Sequence, residues 1–130
     1  MTFDELQNLC EPYGFTVRKM YSNWLPSKKP DMTKMYMASV SLEKSEFPTW
    51  IDGICISVEF ILDNVVCCSV YHKVRRNDMK EFYLDGKGKM ITDPHKVTKE
   101  FITDYLLKTL DSYNKLKMDV KLKEIESDFV

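Results

Sequence analysis

Ile54-Cys55-Ile56-Ser57-Val58-Glu59-Phe60-Ile61-Leu62-Asp63-Asn64-Val65-Val66-Cys67-Cys68-Ser69-Val70 decides the fold. Its even positions from Ile54 to Leu62 are uniformly apolar, a period of two that marks a half-buried strand. Val66, Cys68, Val70 and Val74 continue the pattern on a second strand, with His72 among them. Asp63-Asn64 between the two runs is a turn signal, so the pair reads as a hairpin. A strict two-residue loop sets Phe60 opposite Cys67 and Val58 opposite Ser69. An odd loop that takes in Val65 sets Phe60 opposite Cys68 and Val58 opposite Val70. Only the odd loop keeps both apolar sets on one face, and a one-residue slip would turn one set to water. The other face carries Cys55, Ser57, Glu59 and Ile61 beside Cys67, Ser69, Tyr71 and Lys73, a mixture that suits an uncovered surface.

Working outward, the same period appears at Phe15, Val17 and Tyr21, and again at Tyr36, Ala38, Val40 and Leu42. Phe82 and Leu84 mark a fifth, shorter strand before the turn Asp85-Gly86-Lys87-Gly88. Thr2 and Glu5 have capping-box spacing and open a short helix with Phe3, Leu6, Leu9 and Cys10 on one face. Pro12 and Gly14 stop it. Asp93-Pro94 is a second helix start, with a stripe of Val97, Phe101, Tyr105, Leu106, Leu110 and Tyr113 behind it. After Asn114 two patterns compete. Leu116, Met118, Val120 and Leu122 alternate as a strand would, whereas Met118, Leu122, Ile125 and Phe129 fit one helical face. Propensity favours the helix. A rod from Pro94 to Asp128 would be on the order of 50 Å long at ~1.5 Å per residue. A domain this size has a radius of gyration of about 14 Å, so the chain is expected to bend near Asn114 or to project.

The expected fold is therefore α+β: a short N-terminal helix, an antiparallel meander of about five strands, and a long C-terminal helix on one sheet face. The 130 residues make one domain, with residues 1–114 as its core and 115–130 as an extension. Hydrophobic residues at 44% with 30% charged residues exclude disorder as the main state. No apolar run is long enough to span a bilayer, so no membrane partner is expected. The opening Met1–Glu5 is acidic where a signal peptide is basic, so a cytoplasmic rather than secreted chain is expected. Cys10, Cys55, Cys67 and Cys68 form no C-x-x-C pair and read as small apolar residues in a reducing compartment.

Catalytic chemistry finds little support. Cys68 and His72 are four residues apart on one strand, about 13 Å at ~3.3 Å per residue, too far for a nucleophile and its base. His95 belongs to the first turn of the second helix, where the dipole disfavours its charge. Gly86-Lys87-Gly88-Lys89 is too short for a phosphate loop. No metal or cofactor is expected, and a small-ligand enzyme or sponge around Glu59, Tyr71 and His72 is the weakest of three readings.

Binding chemistry is better represented. Trp24-Leu25-Pro26 and Phe47-Pro48-Thr49-Trp50 place large rings in loops, and tryptophan and tyrosine anchor interfaces. Met32, Met35 and Met37 add adaptable apolar surface. The candidate partner-binding set is Trp24, Trp50, Tyr21, Tyr36, Met35, Met37, Glu59 and Tyr71. A second candidate set is basic. Residues 17–44 hold six basic side chains against two acidic, and 71–100 hold eight against five. Arg18, Lys19, Lys28, Lys29, Lys34, Arg75 and Arg76, with aromatics between them, suit a single-stranded nucleic acid or guide RNA. The leading expectation is a non-enzymatic protein that inhibits or modulates a larger protein or ribonucleoprotein, with a homodimer through the C-terminal segment as a linked expectation. Small size, an AT-rich residue bias with Ala38 the single alanine, and aromatic loops resemble in style many phage accessory proteins, including antagonists of host defence such as anti-CRISPR proteins. That likeness transfers no motif.

Overall fold

The computed structural model describes residues 1–21 and 35–128. α1 (Phe3–Cys10) leads into a short 3-10 turn, and Gly14, at φ 89°, redirects the chain. Thr2 caps α1 through its hydroxyl, which accepts from the Glu5 amide at 3.2 Å. Strands β1 (Thr16–Tyr21), β2 (Met35–Ser41), β3 (Ile54–Ile61) and β4 (Asn64–Val70) follow in antiparallel succession. β5 (Val74–Arg76) and β6 (Phe82–Leu84) pair as a separate two-stranded ribbon, and β7 (Lys89–Ile91) returns to the sheet beside β4. The sheet order is β1-β2-β3-β4-β7. α2 (Lys99–Asp128) then runs unbroken for 30 residues, on the order of 45 Å. The architecture is α+β, with both helices packed on the same face of the sheet.

Parity decides which side chains the helices cover. Val17, Ala38, Val40, Ile56, Val58, Phe60, Cys68 and Val70 share one face, and all are buried. Leu6 and Cys10 of α1 and Ile102, Leu106, Thr109 and Tyr113 of α2 close over them. Each fully buried Leu, Ile or Phe contributes roughly 1.5–3 kcal/mol by leaving water. A bulge in β3 turns Cys55 to the same side as Ile56, where its thiol donates to the Val40 carbonyl at 3.5 Å.

The hairpin register differs from the odd-loop expectation. The loop is two residues, Leu62 and Asp63, both left-handed at φ 52° and 63°, as a tight hairpin turn requires. Parity is restored by a bulge at Val66, so Val58 faces Cys68 and Ile56 faces Val70. The two apolar sets do share a face; the extra residue sits in the strand rather than in the loop.

Further expectations change. β4 does not continue through His72 to Val74. The Tyr71 carbonyl accepts from Thr109 of α2 at 3.5 Å, the Val74 amide donates to Ser112 at 2.9 Å, and the chain leaves the sheet to form the ribbon. The strand at Phe82–Leu84 consequently pairs with β5 and not with the main sheet. α2 starts at Lys99 rather than Pro94. Asp93 caps only a 3-10 turn, accepting from the His95 amide at 3.0 Å, whereas the Thr98 hydroxyl accepts from the Phe101 amide at 3.1 Å and opens the helix. Past Asn114 the helix continues without a break, and Met118, Leu122 and Ile125 stay exposed along one side.

Candidate functional site

The face of the sheet away from the helices is built in rows that the register defines. Arg18, Ser39, Ser57, Ser69 and Met90 lie side by side across all five strands. Met20, Met37, Glu59 and Cys67 make the next row, and Met35 and Ile61 begin a third. No described helix covers these rows. Met20 and Ile61 are each 36% exposed and Met90 is 65% exposed. Serine side chains have only two heavy atoms, so their row is a low track between longer methionines. Ser39 is fully buried, whereas Ser57 and Ser69 are partly exposed, so the accessible part of the track lies on β3 and β4, where the unbranched thioethers can adjust around a contact.

Polar contacts within the rows are few. Ser39 donates to the Met20 sulfur at 3.4 Å, and the Cys67 thiol donates to Glu59 at 3.2 Å. Partial burial together with the Glu59 carboxylate raises the Cys67 thiol to about 11, so it is protonated and a poor nucleophile at neutral pH. The other three thiols are buried, and burial raises each of them, Cys10 and Cys68 to about 12.

Trp50 borders this face. Its carbonyl accepts from the buried Ser41 hydroxyl, and its ring lies 5.0 Å from the Arg18 guanidinium. Arg18 also donates to Glu43 through Nε at 3.2 Å and through a terminal nitrogen at 2.5 Å. These groups line an open cleft of about 390 Å³ with Lys44, Pro48 and Thr49. Beyond Ile51 and Asp52 (the residues that follow Trp50), Tyr71 and Tyr83 line a second cleft of about 400 Å³ with Ile54 and Ser57. Gly88 is packed directly on the Tyr71 ring, where any Cβ would collide with it.

The structure brings together part of the sequence-derived set. Met35, Met37, Glu59, Tyr71 and Trp50 belong to the uncovered face or its margins. Tyr36 does not: it is buried under α1, stacked on Phe60 at 4.9 Å, with its hydroxyl donating to Asp63 at 2.9 Å. Tyr21 ends β1 opposite Tyr36. Trp24, Met32, Lys28, Lys29 and Lys34 lie outside the described residues.

The described basic residues do not form one patch. Arg18 is committed to Glu43 and Trp50, and Lys19, on the opposite face of β1, sits 4.2 Å from the Tyr36 ring. Arg75 pairs with Asp85 at 3.1 Å on the ribbon, beside Arg76. The Glu59–Tyr71–His72 cluster does not converge either. Glu59 faces Cys67, four residues or about 13 Å along the strand from Tyr71. His72 turns to the helix side, 5.8 Å from the Tyr105 ring. Among the described residues no three His, Cys, Asp or Glu side chains group to hold a metal, and no helix is long and apolar enough to cross a membrane.

The sequence reading placed Ser57 and Ser69 on the mixed face but missed their alignment with Ser39, and it missed Met20 and Met90. Their signal was the alternate position between the buried residues of each strand, but the rows exist only once the register is known.

No protein-family model matches the chain, and neither a curated protein nor a solved structure matches it.

Proposed function

We propose that the chain is a non-enzymatic binding protein that inhibits or modulates a larger protein or ribonucleoprotein, and that it does so through the sheet face away from the two helices. One observation carries this reading: rows of methionine and serine, bordered by Trp50 and Arg18, occupy a five-stranded face that neither helix covers. An uncovered face is ordinary in antiparallel sheets, but it is then usually polar. Here Met20, Ile61 and Met90 are exposed on it instead, which favours contact with another surface. The compositional likeness to phage accessory proteins makes a host-defence complex the first partner to try.

Affinity capture from a cell lysate with the wild type, Met37→Lys and Trp50→Ala tests the proposal. Both side chains lie at or beside the open face, so both variants are expected to lose the same partner while their unfolding midpoints stay within a few degrees of the wild type. Nuclease treatment of the captured material separates a protein from a ribonucleoprotein. Equal capture by all three proteins, or collapse of either variant's stability, removes the support.

A further inference from the structure

α2 outlasts the body of the protein. Leu116 and Val120 are its last apolar residues packed against the core. From Lys121 to Asp128 every residue is exposed, so about two turns of helix bury none of their side chains. A helix end of that kind is marginal in water, because helices draw most of their stability from a packed face. Three large apolar side chains stand on this stretch or just before it: Met118 at 65% exposure, Leu122 at 51% and Ile125 at 48%. Spacings of four and then three residues keep them on one side of the helix, roughly opposite Ile102, Leu106 and Tyr113, which are buried against the sheet. Asp111 and Asn114 interrupt the line toward the exposed Leu107, so the apolar seam is confined to the far end.

The flanks of the seam carry complementary charge. Met118, Leu122 and Ile125 occupy successive d, a and d positions of a seven-residue repeat, which puts Lys121 at g and both Asp119 and Glu126 at e. When two copies pair in parallel, position g of one meets the e position five residues further on in the other, so Lys121 meets Glu126 on both sides of the seam. An antiparallel pair that sets Leu122 on Ile125 puts Asp119 against Glu126, like charge against like. Among the described residues neither Lys121 nor Glu126 is in an ion pair. The last turn of α2 also has no basic side chain to offset its negative dipole end, and a lysine from a second copy supplies one. Lys115 falls at the preceding a position, where its ammonium reaches Asp111 of its own helix at 2.9 Å. A charge there suits two strands, whose seam is open to water at its edges, better than three or four.

We infer that the far end of α2 is a self-association surface, on which a second copy of the chain lays its own Met118, Leu122 and Ile125 in parallel, oriented by the Lys121–Glu126 pairs. Three apolar layers make a contact smaller than the roughly 1,200 Å² at which standard complexes begin, so the dimer is weak and forms as concentration rises. α2 lies on the other side of the sheet from the methionine and serine rows. The dimer therefore leaves that face open in both copies, and the inference stands without any partner for it.

Sedimentation equilibrium of the full chain, from about 10 µM to about 1 mM, reads the association directly. The mass is expected to climb from 15.4 kDa toward twice that value across the series. Leu122→Glu puts two carboxylates into the middle layer and is expected to weaken the dimer by roughly tenfold or more, and Ile125→Gln several-fold. Both positions are exposed in the single chain, so the unfolding midpoints stay near that of the wild type. Charge reversal separates the orientations. In the parallel pair Lys121→Glu and Glu126→Lys each weaken association a few-fold, and the double reversal restores it. In an antiparallel pair Glu126→Lys would meet Asp119 and strengthen it. A constant mass throughout, a mass beyond two chains, undiminished association of Leu122→Glu, or strengthening by Glu126→Lys overturns the inference.

Discussion

Leu62 and Asp63 hold the β3–β4 turn with left-handed backbones, a conformation that costs an L residue roughly 1–2 kcal/mol. Asp63 recovers some of that by accepting from Tyr36, but the exposed Leu62 side chain has no such return. Leu62→Asn is therefore expected to stabilise the protein by roughly 0.5–1 kcal/mol, raising the midpoint of thermal unfolding by about 2–5 °C. An unchanged or lower midpoint would show that the leucine makes a contact worth more than the strain. The same turn shows why residue detail was partly illegible. The Thr2–Glu5 cap could be read because its chemistry is local. The bulge at Val66 could not, because a loop and a bulge restore parity equally well and only cross-strand packing chooses between them.

The start of α2 was misplaced for a related reason. Asp93-Pro94 and Thr98 are both sound initiators, and only Val97 and Thr98 separate the turn that the first makes from the helix that the second opens. Thr98→Ala is expected to cost about 1 kcal/mol in urea denaturation and Asp93→Ala distinctly less. The reverse order would mean that the 3-10 turn, and not Thr98, fixes the helix. Within α2, Asp104–Lys108 at 3.0 Å and Asp111–Lys115 at 2.9 Å are solvent-exposed acid-before-base pairs one turn apart, an arrangement that favours the helix only slightly. They help continue the helix through Asn114, where alternation alone offered a strand. The break between β4 and β5 was hidden because Thr109 and Ser112, which hold the chain there, are polar residues on a helix read for its apolar stripe.

At the scale of the molecule, Cys10, Cys55 and Cys68 are buried neutral thiols in one core. Their ordinary value is 9.0, and burial raises all three, Cys10 and Cys68 to about 12. The unfolded chain therefore loses these protons first. Their contribution to stability is intact below pH 9 and is lost as pH climbs toward 12, by about 1.4 kcal/mol per thiol per unit. The urea midpoint should be flat from pH 7 to 8 and fall steeply above 9. Cys68→Ala, though less stable overall, should show a shallower fall; an equal slope would remove the thiols as the cause. The fold class was legible because period-two strands and two capped helices leave few ways to cover an apolar face. The candidate site was legible only in part, since Met35, Met37 and Glu59 become neighbours of Met20, Cys67 and the serines through pairing that no single strand records.

α1 and α2 touch across the top of the sheet although most of the chain separates them. A ribosome delivers them in that order, at roughly 5–20 residues per second. For several seconds the nascent meander has its greasy side roofed by one short helix alone. Whatever shelters that surface during translation, a chaperone or the exit-tunnel rim, must let go before the last helix can settle.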